Sequence, residues 1–442
     1  MKIALVAMSG IRACDEELLR LGLTLPGFVE RSKTIASIPS LGLLTLAALT
    51  PDEHEVEYIE IPELPTVDGV PRDFDLVAIS SYSAQISEAY ELGRRCREAA
   101  IPVVMGGPHV SALPEEAAQF ADAVVVGEGE PVWHEVLADC QAGRLHGIYD
   151  GRIGGYDLAA APVPAFELLD ITKYNRLTVQ TSRGCPHRCE FCANTVLQSE
   201  KYKQKPVEKV IREIERILEI WEHPFIEFAD DNAFVNRSFW KELLGWLRDK
   251  KTKWFAETDL SVAEDDELLD LMRASGCAQV LIGLESPVAA GLEGLELRSD
   301  WKRKRFGTYR DAIRNIQSHG ITVNGCFVIG LDGHSPEIFD QVFDFVKETE
   351  LYEVQVTILT AFPGTPLYDR LQREGRILAP KQWRKCTLFD VNYRPTGMTP
   401  EELAEGFRQL VVRLYGKEFT DWRRANFKKH LRQYVHEKGT AS

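Results

Sequence analysis

Short apolar runs recur along the chain, separated by stretches with helical periodicity. Lys2–Ala7, Leu76–Ile79, Val103–Met105 and Ala123–Val126 are continuous apolar segments of strand length, and Glu55–Ile61 alternates polar and apolar residues. Between them, Leu41–Leu49 and Ile86–Ala99 place apolar residues at helical spacing. Strands alternating with helices predict a parallel, doubly wound α/β sheet, because a parallel connection needs a crossover and a helix supplies it.

A second alternating series begins after a Gly-, Ala- and Pro-rich stretch, Gly151–Pro164, which reads as a linker. Leu177–Thr181, Phe225–Ala229, Trp254–Thr258, Val280–Leu284, Ile321–Ile329 and Val354–Leu359 are its strand candidates. Val207, Val210, Ile211, Ile214, Ile217, Leu218 and Trp221 mark one face of an intervening, core-facing helix. Six β/α units predict a partial barrel, with its site at the carboxyl ends of the strands. Beyond residue 370 the chain turns polar and helical. Met398-Thr399-Pro400-Glu401-Glu402 is a helix start, and Leu403, Phe407, Leu410, Val411 and Leu414 give that helix an apolar face. The basic stretch from Trp422 to Lys438 reads as a solvated helix, with a partner patch as the alternative. The expected boundaries are 1–145 for the Rossmann-like domain, 146–175 for the linker, 176–370 for the barrel and 371–442 for the helical region.

Composition narrows the class only a little. At 442 residues and 44% apolar, the chain can bury a large core. Its net charge of −15 argues against phosphate-driven nucleic-acid binding. No apolar run has the length of a membrane span. The first residues read as a strand rather than a signal peptide, so a cytoplasmic location is expected. Nine cysteines fit a reducing compartment. Six of them (Cys14, Cys96, Cys140, Cys277, Cys326, Cys386) are scattered and read mostly as small buried hydrophobes, Cys386 having a substrate-site role as its alternative.

The other three stand together in Gly184-Cys185-Pro186-His187-Arg188-Cys189-Glu190-Phe191-Cys192, directly after the first strand of the second series. Their C-x3-C-x2-C spacing lets three thiolates hold three irons of a [4Fe–4S] cluster and leave one iron open to a small molecule. A zinc site, a set of buried structural thiols and a disulfide are the alternatives. Zinc would want a fourth ligand, and no second C-x2-C follows.

This loop resembles the signature of the radical S-adenosylmethionine superfamily. The resemblance implies a (β/α)6 barrel, a [4Fe–4S] cluster on Cys185, Cys189 and Cys192, and S-adenosylmethionine held by the open iron and cleaved to a 5′-deoxyadenosyl radical. It assigns cofactor contacts to Phe191 in the loop and to Ala229, Asp230 and Asp231 after the second strand. Further contacts fall to Glu257 after the third, Glu285 and Ser286 after the fourth, Val328 and Gly330 after the fifth, and Phe362 after the sixth. Glu257 has a cation or the substrate as its other partners. The N-terminal segment VVMGGPHVSALPEEAAQFADAVVVGEGEPVW resembles the cobalamin-binding domain that precedes such barrels. By that resemblance Ser80, Gly106, Gly107, Gly127 and Glu128 cradle cobalamin. The cobalt-ligating histidine of other cobalamin proteins has no counterpart after the first strand, where Ser9-Gly10-Ile11-Arg12 stands, and His109 reads as a loop histidine, with cobalt ligation as its alternative. Together the resemblances cover most of residues 1–370.

They imply methyl transfer to an unactivated carbon of a small-molecule, lipid or peptide substrate, with a flavodoxin- or ferredoxin-type electron donor. A radical rearrangement, cyclisation or oxidation without cobalamin is the enzymatic alternative. An iron–sulfur or corrinoid binding protein without turnover is the other.

Overall fold

The computed structural model describes residues 1–20, 38–66, 73–194 and 202–440, with side chains described as far as residue 432. Expected features that fall on the remaining positions, including the last basic residues of the tail, lie outside the described residues.

The architecture is α/β, built on two six-stranded parallel sheets. The first runs β2-β1-β3-β4-β5-β6, with β1 Lys2–Met8, β2 Glu55–Ile61, β3 Leu76–Ser80, β4 Val103–Gly106, β5 Ala123–Val126 and β6 Gly147–Asp150. The chain reverses its direction of travel across the sheet at β1, so a crevice opens beyond the ends of β1 and β3, where doubly wound sheets hold ligands. Both faces are covered. Val6, Val77, Ile79 and Leu92 pack on one side; Ile3, Leu5, Leu43, Ala78 and Trp133 pack on the other. β6 was not expected: it lies in the segment read as linker. Ile148 is half exposed on this edge strand, so no apolar run advertises it.

The second sheet is the partial barrel. Its strands Leu177–Val179, Phe225–Phe228, Lys253–Thr258, Cys277–Glu285, Thr322–Ile329 and Glu353–Ile358 each pair with the next in sequence. Val280, Ile282 and Leu284 are fully buried under the outer helices, whereas Gln279, Leu281 and Gly283 line the lumen and are partly exposed. On the next strand Phe327 stacks edge-on to Phe345 of an outer helix, which turns Asn324 and Cys326 to the lumen side. The helix Val207–Ile220 buries Val210, Ile214 and Ile217, as its stripe predicts.

The last strand leaves an edge, and the C-terminal region covers it. Helix Pro400–Tyr415 starts in a capping box between Thr399 and Glu402 and buries the five expected apolar residues. Its last residue, Tyr415, donates to the Val354 carbonyl and accepts from the Val356 N–H, while the Ile358 N–H reaches the Leu388 carbonyl. No helix among the described residues is long and apolar enough to cross a membrane.

Candidate functional site

The carboxyl ends of both sheets open on one cavity of about 500 Å³. Met8, Ser80, Tyr82, Gly106, Gly107, Gly127 and Glu128 line it from the first sheet, and Gln180, Arg183, Asn194, Ala229 and Asp231 from the barrel. The first-sheet wall is backbone-rich. Gly107 has φ +102°, and a Cβ there would stand 3.0 Å from the Ser81 carbonyl and 3.1 Å from the Ser80 hydroxyl. Only glycine fits both the conformation and the space. His109 faces away from the cavity. It is buried with Nδ1 2.9 Å from the Ser83 hydroxyl and its ring 5.2 Å from Trp383, and burial lowers its pKa.

The cysteine loop leaves the first barrel strand through a two-residue antiparallel pair, Ser182–Arg183 with Lys203–Gln204. Cys189 is buried, and Cys185 and Cys192 are half-buried. Burial pushes Cys185 and Cys192 up to about 11 and Cys189 up to about 12, and the three thiols lie within electrostatic reach of one another. As thiolates they therefore want a positive centre. Among the described residues no three His, Cys, Asp or Glu side chains converge on a single ion. A cubane does not ask for that, because each thiolate takes a separate iron.

Carboxylates from the strand ends pin this loop. Asp230 is buried and accepts from the Thr181 and Ser182 N–H groups at 2.7 and 2.8 Å and from the Thr181 hydroxyl. Burial raises its pKa to about 6 against the pull of those hydrogen bonds. Asp231 accepts from the Gly184 N–H at 2.9 Å and from the Asn194 amide, bracketing the loop. Asp259 accepts from His187 Nε2 at 3.1 Å and from Asn232 at 2.8 Å. Burial alone would raise Asp259, but hydrogen bonds from His187, Ser261 and Asn232 hold it well below the carboxylate range. His187, the histidine inside the cysteine loop, is thus engaged by Asp259 and packs at 4.7 Å against Trp301.

Several positioning residues were missed in the sequence. Glu296 accepts from the Arg188, Arg298 and Ser299 N–H groups, and although burial opposes it these bonds hold its pKa at about 2. Arg370 makes a two-pronged contact with Glu190 of the loop at 3.0 and 2.6 Å. Lys302 ion-pairs with Glu285, donates to the Gly283 carbonyl at 3.1 Å and lies within electrostatic reach of all three cysteines. Gly283 makes room for this pair, because a Cβ there would stand 2.5 Å from the Glu285 carboxylate. Glu285 itself has φ +62°, strained for a non-glycine residue, at a bulge in the ladder.

The remaining expected residues divide. Glu128 lines the cavity but is bonded to Arg183 at 2.9 Å and Lys203 at 2.7 Å, and Arg183 also pairs with Glu130. The first sheet's Gly-Glu-Gly-Glu turn is thereby tied to the cysteine loop. Ser286 is fully buried, its hydroxyl 3.0 Å from His334 Nε2, while His334 Nδ1 accepts from the Gly330 N–H. Gly330 also accepts from the Tyr393 hydroxyl. Val328 is buried, Phe191 packs on the barrel core, and Phe362 packs on the first sheet's core. Of the scattered cysteines, Cys386 follows the buried reading rather than its substrate-site alternative, and Cys326 departs from it. Cys386 is buried in the first sheet's core, away from the barrel mouth, because Trp383–Cys386 docks there. Cys326 projects into the lumen because strand alternation puts it on the inner face.

Residues 179–346 match the Radical SAM superfamily, residues 33–137 the B12 binding domain, and residues 365–441 a domain of unknown function. The hopanoid C-2 methylase of Rhodopseudomonas palustris is 31% identical over 359 residues, 78% of this chain and 66% of that protein. The bacteriochlorophyllide d C-12(1)-methyltransferase of Chlorobaculum tepidum is 26% identical over 384 residues, 85% of this chain and 82% of that protein. Among solved structures, the radical S-adenosylmethionine methyltransferase TsrM of Kitasatospora setae, with cobalamin and a [4Fe–4S] cluster bound, superposes with a TM-score of 0.63 at 17% identity. It covers 86% of this chain and 79% of that one.

Proposed function

We propose that this chain, which belongs to the radical S-adenosylmethionine superfamily and to its class with a B12-binding domain, is a cobalamin-dependent methyltransferase acting on an unactivated carbon of a small-molecule substrate. The observation that carries the proposal is the shared cavity: the glycine-lined ends of the first sheet and the cysteine-bearing mouth of the barrel face each other across it.

The residues present fit both groups. Cys185, Cys189 and Cys192 would hold the cluster, and Ser80, Gly106, Gly107 and Gly127 would seat cobalamin. When bound, the cluster supplies the electron that cleaves S-adenosylmethionine to a 5′-deoxyadenosyl radical, and cobalamin supplies the methyl group. The chain's own part is placement. Asp230 and Asp231 fix both ends of the cysteine loop, and Glu296 and Arg370 fix its middle. Lys302 with Glu285 puts a compensated charge pair beside the thiolates, able to meet the zwitterionic end of S-adenosylmethionine. Arg183, through Glu128 and Glu130, holds the two modules in one register. In this reading the electron comes from a flavodoxin- or ferredoxin-type donor in the cytoplasm, and the net charge of −15 disfavours a nucleic-acid partner.

The test is metal analysis and turnover of chain purified without oxygen from cobalamin-fed cells. The expected result is about four irons per chain, bound cobalt, and 5′-deoxyadenosine formed under reduction. Cys185→Ala should lose iron and 5′-deoxyadenosine together while keeping cobalt. Iron without cobalt would overturn the methylase reading, and no iron after reconstitution would overturn the radical one.

A further inference from the structure

Most of the carboxylates around the barrel mouth have a partner. Glu227 pairs with Arg176, Asp231 with Gly184 and Asn194, Asp259 with His187, and Glu285 with Lys302. Glu257 is different. It lies near the carboxyl end of the strand Lys253–Thr258, and its carboxyl group makes no hydrogen bond or ion pair among the described residues. Its side chain is exposed on the lumen face, and desolvation by the surrounding walls with the charges of Glu227 and Asp231 raises its pKa to about 7 against the pull of Arg176.

A second vacancy stands in the same row of the sheet. Glu257 pairs with Leu281, and Leu281 pairs with Asn324, so the three share one level of the lumen. Asn324 is only 2% exposed, and its Oδ1 has no hydrogen-bond partner. A buried amide oxygen left so costs about 1–3 kcal/mol. Both vacant groups are acceptors.

Their place in the molecule matters as much as their chemistry. Lys302 and Glu285 stand beside the cysteines; Cys326 is in electrostatic reach of both Glu285 and Glu257; Glu257 is in reach of Glu227, and Glu227 of Tyr82. Tyr82 comes from the first sheet, is 56% exposed and projects into the shared cavity. Glu257 is thereby linked electrostatically to the cluster side through Cys326 and Glu285 and to the first-sheet side through Glu227 and Tyr82, and Asn324 shares its level of the lumen.

We propose that Glu257 and Asn324 anchor a cationic, ammonium-type group of the substrate. The inference rests on the reading above for its meaning, since it names the substrate class of the same site. A carboxylate or phosphate finds a donor only in the Asn324 amide and meets the negative charges of Glu257, Glu227 and Asp231, whereas an ammonium donates to the Glu257 carboxylate and to Asn324 Oδ1 and neutralises Glu257.

The probes are n-butylammonium, n-butanol and butyrate, which share a carbon chain and differ in head group. Their dissociation constants for the full chain are measured by saturation-transfer NMR, on wild type, Glu257→Gln and Asn324→Leu. Butylammonium should bind about tenfold more tightly than butyrate. That preference should vanish in Glu257→Gln and shrink in Asn324→Leu. A preference unchanged in Glu257→Gln overturns the proposal, as does butyrate binding as well as butylammonium. Butanol equal to butylammonium overturns the cationic assignment. S-adenosylmethionine affinity of the reconstituted wild type and Glu257→Gln is measured alongside, and a matching loss would give Glu257 to the cofactor instead. The head-group series needs no turnover, so failure to form 5′-deoxyadenosine would sink the methyltransferase reading and leave this result standing or falling by itself.

Discussion

At the ends of their strands the two sheets offer opposite surfaces. The first offers backbone: Gly106, Gly107 and Gly127 leave room, and its acids, Glu128 and Glu130, are neutralised by Arg183 and Lys203. The barrel offers side chains: Asp230, Asp231, Asp259 and Glu285 each reach across to hold a loop or a lysine. The topology is alike in both, parallel strands with helical crossovers, yet one mouth recognises by shape and the other by charge. A large, rigid ligand is best met by removing side chains, whereas a loop that must aim three sulfurs is best met by adding them.

If that contrast is real, the two mouths should break separately. Asp230→Ala leaves the Thr181 and Ser182 N–H groups without their buried acceptor. It should cost about 3 kcal/mol of stability and most of the iron, with cobalamin affinity nearly unchanged; iron assay and cobalamin titration on one preparation check this. Gly107→Ala puts a methyl group against Ser80 and Ser81 in a conformation only glycine takes readily. Cobalamin affinity should fall about tenfold while iron content stays. A variant that lost both cofactors together would erase the distinction.

A gentler probe is pH. In the folded chain Glu257 titrates near 7, raised by burial and by Glu227 and Asp231, against about 4.3 unfolded. The folded state therefore holds this proton more tightly. The stabilisation is fully present below the unfolded value and is lost as pH rises through about 7. The thermal midpoint should fall between pH 5.5 and 8 more steeply in wild type than in Glu257→Gln. Equal slopes would mean that Glu257 is ordinary.

How much of this could be read from the chain follows from how local each signal is. The barrel strands are legible because helices cover their outer face, so apolar residues such as Val280, Ile282 and Leu284 recur at alternate positions. The cysteine loop is legible because its ligands fall within eight residues. The strand Gly147–Asp150 is not, since an edge strand with exposed Ile148 has no apolar run to show. The partners of Glu128 were also hidden, because Arg183 and Lys203 are distant in sequence and adjacent only once two sheets face each other. Lys302 sits in Trp301-Lys302-Arg303-Lys304-Arg305, where nothing in the sequence separates the one lysine that turns inward from its outward neighbours. The vacancy at Glu257 is a property of its surroundings and has no sequence signature at all.

The capped edge of the barrel has a consequence outside catalysis. A sheet that does not close must end somewhere, and a bare strand edge is a template on which another chain can add. Here Tyr415 and Leu388 occupy the outward groups of Val354, Val356 and Ile358. The C-terminal helices are therefore also a guard against self-association. Damage to them would show first as aggregation in a crowded solution, before any effect on the chemistry at the other end of the strands.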